Sequence, residues 1–314
     1  MNSFGIHPQT TIAIGTQPRE PLRLDGLSAM RRSMIDATAS EVGPGDRTVA
    51  AADALADGVP VRIYQPRGSG EQGPDGQEPG SRTPVAVFVH GGGWVMGGLD
   101  THDGLCRQIA ARSGCAVLAV DYRLAPEHPH PAALEDVELA LTWARGPGGA
   151  AHRLDATCPA IIGESAGGHL AAAVCGRARD AGRPYACQVL VCPVIDPFAE
   201  YPDLDAFGLY REEMDFFWAA YTPDPATREH PDVAVLRGDL TGLPRTLVIT
   251  AELDILRDEA ERYADALAAV GVPVACVRYR GVNHAFVRKL ALFDAAALAV
   301  DQIAGTLRGT LLPS

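Results

Sequence analysis

The order of apolar and polar positions along the chain predicts short strands that alternate with helices. Runs of strand length, several of them apolar throughout, lie at residues 84–89, 116–120, 160–162, 186–191, 246–250 and 273–279. Stretches with helical spacing or an Ala-rich composition lie between and after them, at 103–113, 131–143, 169–174, 258–270 and 290–307. Because fully apolar strands belong in a parallel sheet that is covered on both faces, this alternation predicts an α/β fold with a mostly parallel, doubly wound sheet.

The first part of the chain has a different pattern. Polar and apolar residues alternate at 59–64, which predicts a strand, and 49–55 is its expected hairpin partner. Residues 22–39 carry apolar side chains at helical spacing, and this helix either packs as an ordinary element or covers a substrate. Residues 67–84 are rich in Gly, Pro, Glu and Gln and predict a surface loop.

One long segment interrupts the alternation of strands and helices. Residues 196–243 are rich in Pro, Asp and aromatic residues, with a helical segment at 212–221. A long interruption of this kind is typical of a functional insertion. Its aromatic side chains suit a lid over an apolar pocket, although most of them are expected to pack within the insertion; they are Phe198, Phe207, Tyr210, Phe216, Phe217, Trp218 and Tyr221.

Composition excludes several classes of partner. The 314 residues, of which 47% are hydrophobic, fit one large domain with an appendage or two modest domains. A formal net charge of −12 argues against nucleic acid and anionic membrane surfaces. Seven cysteines without metal-like spacing, and a segment 1–17 without the pattern of a secretory signal, predict a cytoplasmic protein. No apolar run is long enough to predict stable membrane insertion.

The sequence Gly163–Glu164–Ser165–Ala166–Gly167 follows an apolar run and leads directly into an Ala-rich run. A strand, a sharp turn and a helix in this order predict a nucleophile elbow, which lifts the Ser165 hydroxyl clear of the sheet edge. The N–H group of Ala166 then lies in the first turn of the helix, where donors are unpaired and the dipole favours negative charge. Because a five-residue pattern also occurs by chance, the assignment depends on partners elsewhere in the chain.

Two partners follow in the expected order. Asp254 comes after the strand at 246–250, and His284 comes after the last strand. Loops that follow the carboxyl ends of parallel strands share one edge of the sheet, and the order Ser, Asp, His is that of α/β-hydrolases. Histidine can take the proton of the serine, and the aspartate orients the ring and stabilises the imidazolium. Asp196 is the alternative acid.

Other carboxylates near these positions have simpler explanations. Asp258 and Glu259 open a helix, where an acid stabilises the helix dipole without any catalytic role. Glu252 is expected either to support the site or to be exposed.

A glycine run after the strand at 84–89 is the second informative motif. His90 is followed by Gly91, Gly92 and Gly93, whose backbone can approach a substrate closely because there is no Cβ atom. The N–H groups of Gly92, Gly93 and Ala166 are expected to form an oxyanion hole with three donors. His90 is expected to fix the loop. We expect substrate contacts from three aromatic residues, Trp94, Phe217 and Phe286.

Together these motifs resemble the hormone-sensitive-lipase-like family of α/β-hydrolases, and its bacterial carboxylesterases in particular. The matching pieces are HGGGW at 90–94, DYRLAPEHPHPAALED at 121–136, GESAGGH at 163–169, ELDILRDE at 252–259 and NHAF at 283–286. The resemblance implies an eight-stranded, mostly parallel sheet in a single domain over 1–314, with a helical cap formed by about 1–45 and 197–243. It implies Ser165 as nucleophile, His284 as base and Asp254 as acid. Glu164 departs from the family, which usually has Asp before the serine.

The expected function is that of a serine hydrolase that cleaves carboxylic esters of short to medium acyl chain through an acyl-enzyme on Ser165. The substrate is a small-molecule ester, and the chemistry requires no metal and no organic cofactor. A dedicated deacylase of one metabolite is the main alternative, since the motifs do not separate it from a general esterase. A lyase and a non-catalytic receptor, both known on plant relatives of this scaffold, rank lower because all three catalytic side chains are present. The resemblance also allows a homodimer through the last strand and helix.

Overall fold

The computed structural model describes residues 6–14, 23–66, 82–204 and 207–312. Within these residues the chain forms one eight-stranded sheet in the order β1-β2-β4-β3-β5-β6-β7-β8. The strands are β1 (Ala50–Ala56), β2 (Val59–Gln65), β3 (Thr83–Val89), β4 (Ala116–Val120), β5 (Leu154–Glu164), β6 (Cys187–Val191), β7 (Arg245–Leu253) and β8 (Val274–Asn283). β1 and β2 pair antiparallel, as do β2 and β4, and all other neighbours are parallel. The predicted fold class is thus confirmed.

The helices follow the strands in the expected alternation. They are α1 (Pro8–Ile14), α2 (Leu27–Glu41), α3 (Leu99–Ser113), α4 (Ala132–Arg145), α5 (Pro147–Ala151), α6 (Ala166–Asp180), α7 (Arg211–Tyr221), α8 (Arg257–Ala269) and α9 (Asp294–Leu311). Short 3-10 turns lie at Leu24–Gly26, Pro225–Glu229 and Val235–Arg237. Most of the predicted loop at 67–84, residues 1–5 and 15–22 of the expected cap segment, and thus the first residue of the helix at 22–39, lie outside the described residues.

Apolar side chains fill a layer on each face of the sheet. One layer holds buried residues of α4, α6 and α8, such as Leu134, Leu170 and Tyr263. The other holds buried residues of α3 and α9, such as Ile109 and Ile303. Because both faces are covered, the central strands are apolar throughout, which is the pattern that made them recognisable in the sequence.

Several differences from the predicted bounds occur where polar residues belong to regular elements. α3 begins at Leu99 and not at 103, because the Thr101 hydroxyl accepts a hydrogen bond from the Gly98 N–H at 3.0 Å and closes the first turn. β7 and β8 continue past a register shift between Ala251 and Leu253. Glu252, whose position the sequence left open, is buried there and accepts a hydrogen bond from the Gly281 N–H at 2.8 Å. This extension carries both strands to the edge where the site lies.

Candidate active site

The turn between β5 and α6 holds Ser165 in a strained conformation. Its φ and ψ angles are 55° and −120°, and its N–H donates to the Val191 carbonyl at 2.9 Å. A Cβ atom on Gly163 would lie 2.2 Å from the Gly167 carbonyl oxygen, and one on Gly167 would lie 2.1 Å from that of Val89. The two glycines are therefore required for the backbone to pass, and the turn has the geometry of a nucleophile elbow.

The structure brings the three predicted catalytic side chains together. His284 Nε2 lies 2.9 Å from Ser165 Oγ, and His284 Nδ1 lies 2.7 Å from Asp254 Oδ2. The other oxygen of Asp254 accepts a hydrogen bond from the Leu256 N–H at 3.0 Å, which fixes the carboxylate in the turn after β7. An aspartate, an imidazole and a hydroxyl in this chain of hydrogen bonds can activate the serine as a nucleophile.

The charge around His284 favours its protonated form. Burial alone lowers the pKa of this imidazole, but the Asp254 carboxylate, by charge and by hydrogen bond, outweighs that effect. The negative charges of Glu164 and Glu213 act in the same direction as Asp254, so that the pKa of His284 is raised above its ordinary value. The imidazolium that forms when Ser165 loses its proton is thus stabilised.

The competing carboxylates have other partners. Asp196 accepts a hydrogen bond from the Phe198 N–H at 3.0 Å, and Asp258 pairs with Arg257 at 2.7 Å. Glu259 is buried and accepts from the Ile195 N–H at 3.0 Å, and burial raises its pKa well above the usual range. Asp254 is the acid that contacts the histidine.

The glycine loop after β3 faces the elbow. Gly92 and Gly93 have φ angles of 124° and 60°, which disfavour residues with a Cβ atom. Within the described residues, the N–H groups of Gly92, Gly93 and Ala166 donate to no other group of the protein. Free backbone donors beside a nucleophile can bind the negative oxygen of a tetrahedral intermediate.

Two buried side chains hold this loop. His90 stacks on Tyr122 with ring centroids 4.1 Å apart, its Nδ1 lies 2.9 Å from the Gly91 carbonyl oxygen, and the Tyr122 hydroxyl donates to the His90 carbonyl at 2.9 Å. Burial lowers the pKa of His90 to about 3, so this ring stays neutral. Its contacts fix the loop, in line with the role that the sequence favoured.

The residue before the serine, Glu164, joins the elbow to the loop. Its Oε2 lies 3.1 Å from His102 Nε2, and His102 Nδ1 lies 2.8 Å from the Thr101 hydroxyl. A Cβ atom on Gly91 would lie 2.2 Å from the same Oε2. Burial raises the pKa of Glu164, but the hydrogen bond and charge of His102 outweigh it and the pKa is lowered to about 2. Sequence reasoning missed His102, which lies in a polar helical turn without a recognisable motif.

A cavity of about 650 Å³ opens beside Ser165 and His284. Its walls come from the elbow, the glycine loop, α2, α7 and the segment after β8. Apolar lining residues include Met30, Met34, Leu209, Met214 and Phe217, and charged ones include Glu41, Glu213, Arg288 and Lys289. α2 thus contributes to the cavity wall, and its role in covering a substrate stays a prediction.

The structure places only one of the three predicted aromatic contacts in this cavity. Phe217 lines it, and a Cβ atom on Gly93 would meet its ring at 2.5 Å. Trp94 is fully buried and stacks on Tyr221 with centroids 4.5 Å apart. Phe286 is fully buried against Tyr279 and Phe293. The prediction that Trp94 and Phe286 contact the substrate is therefore wrong, because both rings fill the layers behind the site.

Comparison with known proteins now identifies the family. A family model described as an alpha/beta hydrolase fold matches residues 86–288. The chain belongs to the hormone-sensitive-lipase-like family of α/β-hydrolases. Both the predicted family and the predicted fold of this hydrolase are thereby confirmed.

Named relatives of the hydrolase span most of its length. Carboxylic ester hydrolase LipN of Mycobacterium tuberculosis is 38% identical over 81% of this chain and 67% of LipN. Carboxylesterase NlhH of the same organism is 35% identical over 98% of this chain and 96% of NlhH. The structure of an esterase from Pyrobaculum calidifontis has a TM-score of 0.85 and 32% identity, and covers 98% of this chain and all of its own. In the described part of the hydrolase, no helix has both the length and the apolar character needed to cross a bilayer.

Proposed function

We propose that this protein is a carboxylesterase that hydrolyses esters of short to medium acyl chain through an acyl-enzyme on Ser165. One observation carries the proposal: His284 lies 2.9 Å from the Ser165 hydroxyl and 2.7 Å from Asp254, directly beside a cavity. The relatives named as carboxylic ester hydrolase and carboxylesterase support the same reaction class.

The proposed reaction follows from the geometry. Ser165 Oγ attacks the ester carbonyl while its proton passes to His284 Nε2, and Asp254 stabilises the resulting imidazolium. The negative oxygen of the tetrahedral intermediate accepts hydrogen bonds from the amides of Gly92, Gly93 and Ala166. The alcohol leaves with the proton of the imidazolium. A water molecule, deprotonated by His284, then attacks the acyl carbon, and the acid is released as Ser165 Oγ recovers its proton from the imidazolium. The residues of this chain complete the cycle without a metal or organic cofactor.

The cavity supports the proposed size of the acyl chain. Its volume of about 650 Å³ lies in the ordinary range for small-molecule sites. Met30 and Met34 from α2, with Met214 and Phe217 from α7, give it an apolar wall. These helices belong to the proposed cap at about 1–45 and 197–243, of which residues 1–5, 15–22 and 205–206 lie outside the described residues.

The test is hydrolysis of nitrophenyl esters from acetyl to octanoyl by the wild type and Ser165→Ala. Loss of the nucleophile is expected to lower kcat by roughly 10⁴-fold or more, as in other triads. Ser40→Ala, at an exposed position on α2, is the matched control and should keep wild-type activity. A fluorophosphonate should label the wild type and the control but not Ser165→Ala. Equal activity in all three proteins, or an unlabelled wild type, would contradict the proposal.

Acetylated metabolites assayed beside the simple esters separate a general esterase from the dedicated deacylase. A preference for one metabolite over all nitrophenyl esters by orders of magnitude in kcat/KM would favour the deacylase. The homodimer and the cytoplasmic location stay predictions. β8 is an edge strand of the sheet, and sedimentation velocity would measure the state of association.

A further inference from the structure

A second cluster of potential ligands lies away from the cavity, where the insertion meets the segment before α4. Side-chain donor atoms of His130, His230 and Asp232 all lie within 4.8 Å of one another. The Nε2 atom of His130 is buried and has no hydrogen-bond partner in the described residues. A buried polar atom without a partner is uncommon in a folded protein and points to a group that completes its bonding.

We infer that His130, His230 and Asp232 form a site for a divalent transition-metal ion of the Zn²⁺ class. Two imidazoles and one carboxylate are a common ligand set for zinc, and a fourth position is left for water. Ligand atoms around a tetrahedral Zn²⁺ lie about 3.4 Å apart, so donor atoms that lie within 4.8 Å of one another must approach by up to about 1.4 Å. The exposed His230 side chain already has its Nδ1 atom 3.3 Å from Asp232 Oδ2, and an ion would replace the hydrogen bond that this atom accepts from the Asp232 N–H at 3.2 Å.

The surroundings of Asp232 are compatible with a bound cation. Arg177 contacts only Oδ2 of this carboxylate, through Nε at 2.9 Å and Nη2 at 2.6 Å. The guanidinium thus orients the carboxylate, as groups behind a metal ligand commonly do. Its own charge is opposed by Glu138, which accepts from Nη1 at 2.8 Å, so the cluster does not carry an excess of positive charge.

The site would join the segment before α4 to the insertion, whose helix α7 borders the cavity. The His130 N–H donates to the carbonyl of Tyr221, the last residue of α7, at 2.8 Å, and the His130 ring contacts the Tyr221 ring edge-to-face. His230 and Asp232 follow α7 in the same insertion. Because α7 carries Met214 and Phe217 into the cavity wall, an ion bound here stabilises the position of that wall.

The test is zinc binding at pH 7.5 by the full chain, freed of any affinity tag and treated with EDTA. Isothermal titration should find one ion bound at this site per chain, and saturating ZnCl₂ should raise Tm by roughly 4 °C. His230→Ala and His130→Phe, which keeps the aromatic contact with Tyr221, should each weaken binding at least tenfold and remove the Tm shift. His128→Ala, an exposed histidine of the same segment, is the matched control and should bind as the wild type does.

Zinc at the active site is the competing explanation. Cys192, Asp254 and His284 also hold donor atoms within 4.8 Å of one another, and an ion there would inhibit ester hydrolysis. If inhibition persists in His230→Ala while the Tm shift is lost, the two sites are separate and the inference stands. If His230→Ala and His130→Phe keep both the affinity and the Tm shift, or the wild type binds no zinc, the inference is overturned.

Discussion

Glu164 links the elbow at Ser165 to the glycine loop after β3. It is the last residue of β5 and directly precedes Ser165, so its backbone position is fixed by the sheet and the elbow. Its carboxylate lies under Gly91 and contacts His102, and its charge contributes to the raised pKa of His284. A change of charge at position 164 should therefore change the pKa of His284 without any substitution of His284 itself.

The first prediction concerns the pH dependence of Glu164→Gln. Only neutral His284 accepts the proton of Ser165, so kcat/KM rises with pH through the pKa of this histidine in the free enzyme. Removal of the negative charge lowers that pKa, and the acid limb of the pH profile should move to lower pH. The same change at an exposed carboxylate, Glu229→Gln, should leave the limb in place. A shift to higher pH in Glu164→Gln would refute the electrostatic coupling.

The second prediction tests the proposed oxyanion role of the glycine loop through Gly93→Ala. Alanine at this position must adopt a φ of 60°, and its Cβ atom would lie 2.5 Å from the Phe217 ring. The loop therefore has to move. Displacement of one donor is expected to lower kcat by about 10²–10³-fold. Gly271→Ala carries a similar backbone strain, with a φ of 85°, but meets no atom within 4 Å. Steady-state kinetics should show a loss of kcat in Gly93→Ala only. If Gly271→Ala lowered kcat by the same factor, the loss would be assigned to backbone strain and not to the displaced donor.

Among the elements that line the cavity, α2 is held at both ends. Near its start, Arg31 donates to the Val95 carbonyl at 2.7 Å and forms two hydrogen bonds of 2.8 Å with Glu127. At its end, Glu41 accepts from Arg288 at 2.8 Å and lies 3.3 Å from Lys289. Between these polar contacts, Met30 and Met34 of α2 line the cavity.

The third prediction follows from those contacts. Arg31→Ala leaves the Val95 carbonyl without its partner and loosens the start of α2, so binding of the ester should weaken. The expected result is a rise in KM of about tenfold, equivalent to roughly 1.4 kcal/mol, with a smaller change in kcat. Arg32→Ala, at the exposed neighbouring position, should keep the wild-type KM. A fall in kcat at constant KM would instead place Arg31 in support of the chemical step.

At the scale of the whole molecule, buried ionisable groups couple stability to pH with opposite signs. Burial lowers the pKa of His169 to about 4, although its hydrogen bond to the Val233 carbonyl opposes the shift. Burial raises the pKa of Glu259 well above its usual range. The histidine therefore favours folding at neutral pH and loses that contribution on acidification, whereas the glutamate costs stability at neutral pH.

The fourth prediction concerns the free energy of unfolding, measured with urea at pH 7.5 and at pH 5. As the pH falls below the unfolded value of about 6.5, the unfolded state binds a proton that folded His169 does not, which costs about 2 kcal/mol by pH 5. The stability difference between the wild type and His169→Gln should shrink by that amount. Glu259→Gln should be relatively stabilising at pH 7.5, and this advantage should decline on acidification. Differences that do not depend on pH would show that neither side chain is held in its neutral form.

The elements that sequence reasoning located well are those with a local pattern. β3 and β4 are apolar throughout because both faces are covered, and the elbow requires glycine on both sides of Ser165. The polar start of α3 and the extended ends of β7 and β8 were missed, since a hydroxyl cap and a register shift leave no periodic trace.

By itself, the sequence determined how strands and helices follow one another along the chain. It also determined the position of the elbow and the chain order of Ser165, Asp254 and His284. These depend on local periodicity and on the rule that loops after parallel strands share one edge of the sheet. Only the tertiary structure decided which side chains line the cavity and which fill the layers behind it. Trp94 and Phe286 lie next to catalytic motifs in sequence yet are buried, because the direction of a side chain depends on contacts with residues far along the chain.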